Sequence, residues 1–184
     1  MTDGKVVNMK VDVRSAKQHE APIVDNLLQL YLYDFSRFED IKQGEDGRYR
    51  YPYLAHYWED PARYPFLFRV DGKLAGFALL RLDADPVTGQ QSMDVTEFFV
   101  SGPYRRRGIG AQAAQRLWDL FPGQWHVRVL KWNDAAYHFW KQVIGEYTHS
   151  RFNERVDDGI TRTTVFVFHS GADSGNLVTS HSRG

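Results

Sequence analysis

The chain has 184 residues, enough for one domain with a substantial core, and its 23 basic and 23 acidic side chains cancel. That balance gives no support to a nucleic-acid or membrane-surface role, and the lack of cysteine excludes a thiol nucleophile, a disulfide framework and thiolate metal sites. The N-terminal region has no secretory signal and no apolar run approaches the ~20 residues of a membrane span, so a cytoplasmic protein is expected.

In chain order, Lys10 to Arg14 alternates, with Val11 and Val13 on one face, and predicts a first strand. Ile23, Val24, Leu27, Leu28, Tyr31 and Phe35 then recur at helical spacing, with Pro22 suited to the first turn. Residues 36 to 65 hold no clean period. Tyrosines and Trp58 crowd their second half, where a short helix around Tyr53 to Trp58 is expected. Phe66 to Val70 and Leu74 to Leu82 read as a hairpin about Asp71-Gly72, a tight-turn pair. A polar loop from Asp83 to Gln91 leads to a strand from Met93 to Val100.

Past a loop, a helix should carry Ile109, Ala113, Leu117, Leu120 and Phe121 on one face and stop at Pro122-Gly123. Trp125 to Trp132 predicts a strand. Asn133 can cap a helix that buries Ala136, Phe139, Trp140, Val143 and Ile144. Tyr147 to Asn153 and Thr161 to Phe168 should pair through a turn at Asp157-Asp158-Gly159. Residues 1–169 then form one domain, and the Gly- and Ser-rich residues 170–184 a disordered tail.

The loop between Val100 and the third helix carries the most chemistry. Arg105-Arg106-Arg107-Gly108-Ile109-Gly110-Ala111 joins a strand to a helix N-terminus, whose unpaired N–H groups sit at the positive end of the macrodipole. Glycines admit an anion close to that backbone, and arginines add charge-assisted contacts. This is a phosphate cradle, suited to pyrophosphate. A dinucleotide fingerprint fits worse, because seven residues separate Val100 from Gly108 and no acidic residue follows at the expected distance. A Walker loop fits worse too, since Ile109 stands where its lysine should be.

The pattern Arg105-x-x-Gly108-x-Gly110 resembles the acyl-CoA pyrophosphate loop of the GCN5-related N-acetyltransferases (GNAT). Asn133 to Gly145 resembles that family's N-x-x-A-x-x-Phe-Tyr-x-x-x-Gly helix. The resemblance extends over roughly residues 10 to 168, though its specific motifs lie between 95 and 145. It implies an α/β (α+β) fold with a mixed, mostly antiparallel twisted sheet of six or seven strands, a splayed central pair and about four flanking helices. It also implies acetyl-CoA as co-substrate, held by the amides of Arg107 to Ala111 with Arg105 and Arg106, and by Asn133, Ala136 and Trp140. Backbone N–H groups near Phe99 and Val100 would hold the thioester carbonyl. Trp140 stands where the family often has a tyrosine acid, and indole has no usable acidity. Tyr137, His138 or Tyr147 could supply that proton, or the thiolate could leave without a protein acid.

Glu97 is the expected base, placed on the strand before the loop at a position where related enzymes often carry a glutamate. The segment holding Tyr31, Asp34, Phe35 and Trp58 corresponds to the family's acceptor pocket, where Asp34 could receive a cationic amine and the rings could stack on it. Seven histidines (His19, His56, His126, His138, His149, His169 and His181) show no ligand spacing, so no metal is expected. The expected activity is acyl-CoA-dependent N-acyl transfer to a small-molecule or peptide amine by direct attack in a ternary complex. A non-catalytic acyl-CoA sensor is the alternative, and exposed aromatics could equally serve a homodimer interface.

Overall fold

The computed structural model describes residues 9–86, 88–157 and 162–171. Its described residues form one sheet from β1 (Val11–Ser15), β2 (Arg63–Val70), β3 (Lys73–Ala84), β4 (Gln91–Val100), β5 (Gly123–Leu130), β6 (Phe152–Asp157) and β7 (Thr163–Ser170). The spatial order is β1-β2-β3-β4-β5-β7-β6. All neighbours run antiparallel except β4 and β5, which are parallel. Asp71 and Gly72 both take positive φ, 48° and 78°, and so make the twisted two-residue turn that joins β2 to β3.

Helices cover the sheet on both faces. Phe66, Phe68, Leu80, Val95 and Val127 pack against α3 (Ile109–Leu120) and α4 (Asp134–Thr148), through Leu117, Trp118, Trp140 and Ile144. Leu67, Phe77, Leu79 and Phe99 face the other way, toward Val24, Leu28 and Leu32 of α1 (Ala21–Phe35) and Tyr57 of α2 (His56–Glu59). The alternation of inward residues along β3 and β4 therefore feeds two cores at once, which is why both strands are rich in apolar residues on both faces.

The β4–β5 pair positions the site. Its register holds only for Met93, Asp94 and Val95 against Trp125, His126 and Val127. Beyond that point the two strands part, and the second half of β4 keeps only β3 as a neighbour. At the fork, β4 carries a bulge: Leu79 pairs with Glu97 and Leu80 with Val95, which leaves Thr96 without a partner.

Four local expectations need correction. The short helix begins at His56 rather than Tyr53. Leu120 is 54% exposed; the buried stripe of α3 runs through Ile109, Ala113, Leu117 and Trp118, which the i, i+4 spacing turns away from Leu120. The strand expected over Trp125–Trp132 is β5, Gly123–Leu130, and Trp132 has already left the sheet. Residues 147 and 148 belong to α4, because burial of Val143, Ile144 and Thr148 prolongs the helix until His149 caps it with φ 52°. The strand that follows starts at Phe152. Asp158-Gly159 of the expected turn, and residues 172–184 of the expected tail, lie outside the described residues.

Candidate active site

The glycine loop sits at the open end of the fork. A 3-10 turn at Gly102–Tyr104 leads out of β4, Arg106 and Gly108 take φ of 57° and 73°, and α3 begins at Ile109. The first bond of the helix ladder runs from the Gln112 amide to the Gly108 carbonyl. The amides of Ile109, Gly110 and Ala111 therefore have no acceptor in a preceding turn and remain for an anion. A Cβ on Gly110 would lie 3.1–3.2 Å from the Phe139 ring of α4 and 3.6 Å from the Val100 side chain. Glycine there lets the start of α3 pack closely against β4 and α4 without displacing the Phe139 ring.

On the facing element, the Asn133 side chain accepts a hydrogen bond from the Ala136 amide at 3.1 Å and starts α4. Trp140 is buried, with its ring 4.9 Å from Phe98 and from Phe139. Tyr137, His138 and Tyr147 do not gather at the fork's base. The Tyr137 hydroxyl donates to Glu154 and accepts from Lys141, His138 is exposed, and the Tyr147 hydroxyl donates to Asp119. Burial, with Asp119, pushes the Tyr147 hydroxyl up to about 12.

Backbone register decides which β4 groups face the gap. Ser101 donates to the Ala75 carbonyl at 2.8 Å, so that pair is hydrogen-bonded, and alternate pairs follow at Phe99–Phe77 and Glu97–Leu79. Phe98 and Val100 therefore turn their N–H and C=O groups toward β5, into the opened gap. Of the two amides expected at the thioester, Val100 presents its own to the gap, whereas that of Phe99 points to β3. Phe98 is the other β4 residue whose amide faces the gap. Sequence alone could not reveal this, because the assignment depends on register.

Glu97 lies on the face of α1 and α2, among Leu79, Phe99 and two tyrosines. Tyr51 donates to Glu97 Oε1 at 3.0 Å, and the Tyr31 hydroxyl bonds the same carboxyl. Burial pushes the Glu97 carboxyl up to about 7, against the pull of both hydroxyls. In turn, burial and the neighbouring carboxylate drive both tyrosines well above their ordinary range. Tyr51 was not expected at the site, since residues 36–65 carry no period that orients a side chain.

On the same face, Asp94 pairs with Arg128 of β5 and lies 3.8 Å from Arg81 of β3. Burial raises its pKa despite both arginines. Among the described residues, Asp94 Oδ1, Arg81 Nε, Thr96 Oγ1 and the Tyr57 hydroxyl are buried without hydrogen-bond partners.

The residues expected to hold the acceptor separate. Tyr31 reaches Glu97, and Phe35 stacks on Tyr31 at 5.5 Å. The Asp34 carboxylate is already engaged, by Arg105 at 2.5 Å and Arg37 at 2.9 Å. The Trp58 indole donates to the Ala16 carbonyl at 3.0 Å, a packing role beside β1. Arg105 also donates to the Val100 carbonyl at 2.6 Å and lies over the Phe99 ring, while Arg106 and Arg107 stay exposed.

A mixed sheet forked between β4 and β5, with a glycine loop and helix N-terminus at the opening, is the acyl-CoA N-acyltransferase fold. Residues 27–145 match the acetyltransferase (GNAT) family, and the chain belongs to that family. An acetyltransferase from Thermus thermophilus superposes with a TM-score of 0.60 at 17% identity, over 87% of this chain and 97% of that one. The ribosomal-protein-S18-alanine N-acetyltransferase of Escherichia coli gives 0.61 at 16% identity, covering 91% and 99%. Spermidine N-acetyltransferase from Vibrio cholerae, solved with CoA and spermine, gives 0.59 at 14%, covering 87% and 95%. No curated protein matches the chain in sequence. Among the described residues, no helix is long and apolar enough to cross a membrane.

Proposed function

We propose that this protein is an N-acetyltransferase that moves an acetyl group from acetyl-CoA to a primary amine by direct attack in a ternary complex. The observation that carries this is the placement of Glu97, with a pKa near 7, at the fork where Phe98 and Val100 turn free amides into the gap. The cradle fits a pyrophosphate: the amides at the start of α3 follow Gly108 at φ 73°, and Asn133 and Ala136 start the facing helix. The splayed edge of β4 fits an extended amide-bearing arm, which can pair with Val100 and Phe98.

An amine is largely protonated at neutral pH and cannot attack a thioester until it loses a proton. Glu97 takes that proton, directly or through one water. The nitrogen lone pair then adds to the thioester carbonyl, and the new oxyanion is held by backbone N–H from β4. The adduct's cationic nitrogen passes its second proton to water, and collapse breaks the C–S bond to yield the neutral amide and the CoA thiolate. With Trp140 buried against Phe98 and both nearby tyrosines bonded elsewhere, the thiolate leaves without a protein acid. That is chemically reasonable for a thiol that titrates near ~8.5.

The Arg81–Asp94–Arg128 row lies beside Glu97 on the same face of the sheet, which supports a polar acceptor. Similar folds act on a ribosomal-protein alanine and on spermidine, so peptide N-termini and polyamines both belong in the acceptor panel. Thiol release from acetyl-CoA across that panel, with an amine-free blank, tests the reading. Release above blank for one amine class, lost in Glu97→Gln, is the expected result. CoA binding with no release for any amine or peptide would overturn it in favour of an acyl-CoA sensor.

A further inference from the structure

We propose that Arg105 is a positioning residue that ties the base to the glycine loop, rather than a ligand of the pyrophosphate; this rests on the acetyl-transfer reading above. In the motif Arg105-x-x-Gly108-x-Gly110 the arginine would be counted with the anion-binding groups, yet its side chain, though exposed, is already engaged by groups of the protein itself. Nε donates to the Val100 carbonyl at 2.6 Å, and one terminal nitrogen donates to Asp34 Oδ2 at 2.5 Å. The guanidinium carbon lies 5.1 Å from the centre of the Phe99 ring. One side chain thus grips the end of β4 and the last turn of α1 together.

These contacts lead to Glu97. Asp34 stands one turn after Tyr31 on α1, so fixing Asp34 fixes the rotation of that helix at Tyr31. The Tyr31 ring meets Phe99 edge-on at 6.3 Å and Phe77 at 6.1 Å, and its hydroxyl bonds the Glu97 carboxyl. Phe99 is therefore in contact with Arg105 and with Tyr31, two residues after Glu97 on the same face of β4. Asp34 Oδ1 takes Arg37 at 2.9 Å, which leaves Oδ2 for Arg105. An ion pair as exposed as Asp34–Arg105 contributes little to stability. Its value lies in geometry, because small displacements of a base relative to its substrate cost large factors in rate. Arg106, and Arg107 with one terminal nitrogen on the Pro103 carbonyl at 3.3 Å, remain for the phosphates.

The test uses Arg105→Ala, Asp34→Asn and the double variant in the full chain. Steady-state kinetics with the best amine, CoA titration and pH titration of 13C-labelled Glu97 by NMR are read in parallel. Each single variant should lower kcat by about tenfold, and the double should be no worse than either. CoA affinity should change by no more than about twofold, because an engaged arginine has little to lose to phosphate. The Glu97 midpoint should shift in both singles as α1 loosens, because the burial and the Tyr31 contact that set it both change. Asp34→Asn keeps shape and hydrogen bonding, so it carries the test if Arg105→Ala melts early. A loss of CoA affinity of about tenfold or more in Arg105→Ala, with Asp34→Asn silent, would overturn the proposal and return Arg105 to the phosphates. Should no amine be turned over, a moved Glu97 midpoint would leave the coupling standing and fell only the acetyl-transfer reading. An unmoved midpoint would overturn the coupling itself.

Discussion

Tyr51 and Glu97, 46 positions apart in sequence, share a hydrogen bond of 3.0 Å beneath the last turns of α1. The contact ties the irregular segment between α1 and α2 to β4. It also favours the ionised carboxyl, whereas burial opposes it, and burial is the larger effect.

The first prediction concerns rate against pH. The proposed mechanism uses Glu97 in its ionised form, so kcat/KM for the amine should rise with a single ionisation at about pH 7 rather than near the ordinary 4.5. Glu97→Gln should lower kcat by about 10²-fold or more and flatten that limb. Thiol-release rates between pH 5 and 9 provide the check. A limb unchanged in Glu97→Gln would assign the ionisation to another group.

A second follows from Tyr51. Tyr51→Phe removes a donor that stabilises the ionised carboxyl while leaving the ring and its burial in place. The Glu97 midpoint should move further up, and the acid limb of the pH–rate profile should move with it. CoA affinity should not change, since Tyr51 lies on the opposite side of β4 from the glycine loop's helix. An acid limb that moves down would mean that the ring's desolvation, rather than its hydroxyl, was being removed.

Stability should depend on pH through two carboxyls with opposite signs. Glu97 has its pKa raised, so the folded state holds a proton between about pH 4.5 and 7 that the unfolded chain has lost. Stability therefore declines as pH rises through that window, by at most roughly 3–4 kcal/mol for this one group. Glu20 is the reverse case. Arg14 holds it in two bonds of 2.6 and 2.8 Å, the Lys17 amide adds a third, and its pKa falls to about 2. Its contribution is present above pH 4.5 and is lost as pH falls toward 2. Urea unfolding across pH should show Glu97→Gln flattening the neutral side, and Glu20→Gln flattening the acid side.

Much of this architecture was legible in the chain. The hairpin at Asp71-Gly72, the apolar stripes of α1 and α4, and the loop from Arg105 to Gly110 each carry a local signal that tertiary packing only reinforced. Glu97 was legible too, as a carboxyl on the strand before that loop. What escaped were relationships that no local pattern encodes. The bulge at Thr96, the outward amides of Phe98 and the pairing of Asp34 with Arg105 all depend on register or on contacts across long separations. Tyr51 lay in a segment without period, where burial is decided by neighbours distant in sequence. Helix ends failed for a simpler reason: the stripe along α4 ran on into residues whose β propensity reads equally as strand.

Gly110 supports the last prediction. Its missing Cβ leaves the start of α3 in contact with the Phe139 ring, at a separation tighter than ordinary van der Waals contact if a methyl were added. Gly110→Ala lies at a helical position, where alanine itself is favoured, so backbone propensity should help and the clash should hurt. The clash should win: either Phe139 rotates or the helix start withdraws from the fork, with a stability cost of about 1–2 kcal/mol. Withdrawal would carry the Ile109 to Ala111 amides away from the phosphates, so CoA affinity should fall by about tenfold. The compensating change is Phe139→Leu, which frees space where the methyl would sit. Calorimetric titration of CoA into the single and double variants distinguishes the two sources of loss. Recovery of affinity in the double variant would show that the glycine is required for the close packing of α3 on α4. A double variant as weak as the single would show that the methyl acts elsewhere than on Phe139, for example against the Val100 side chain.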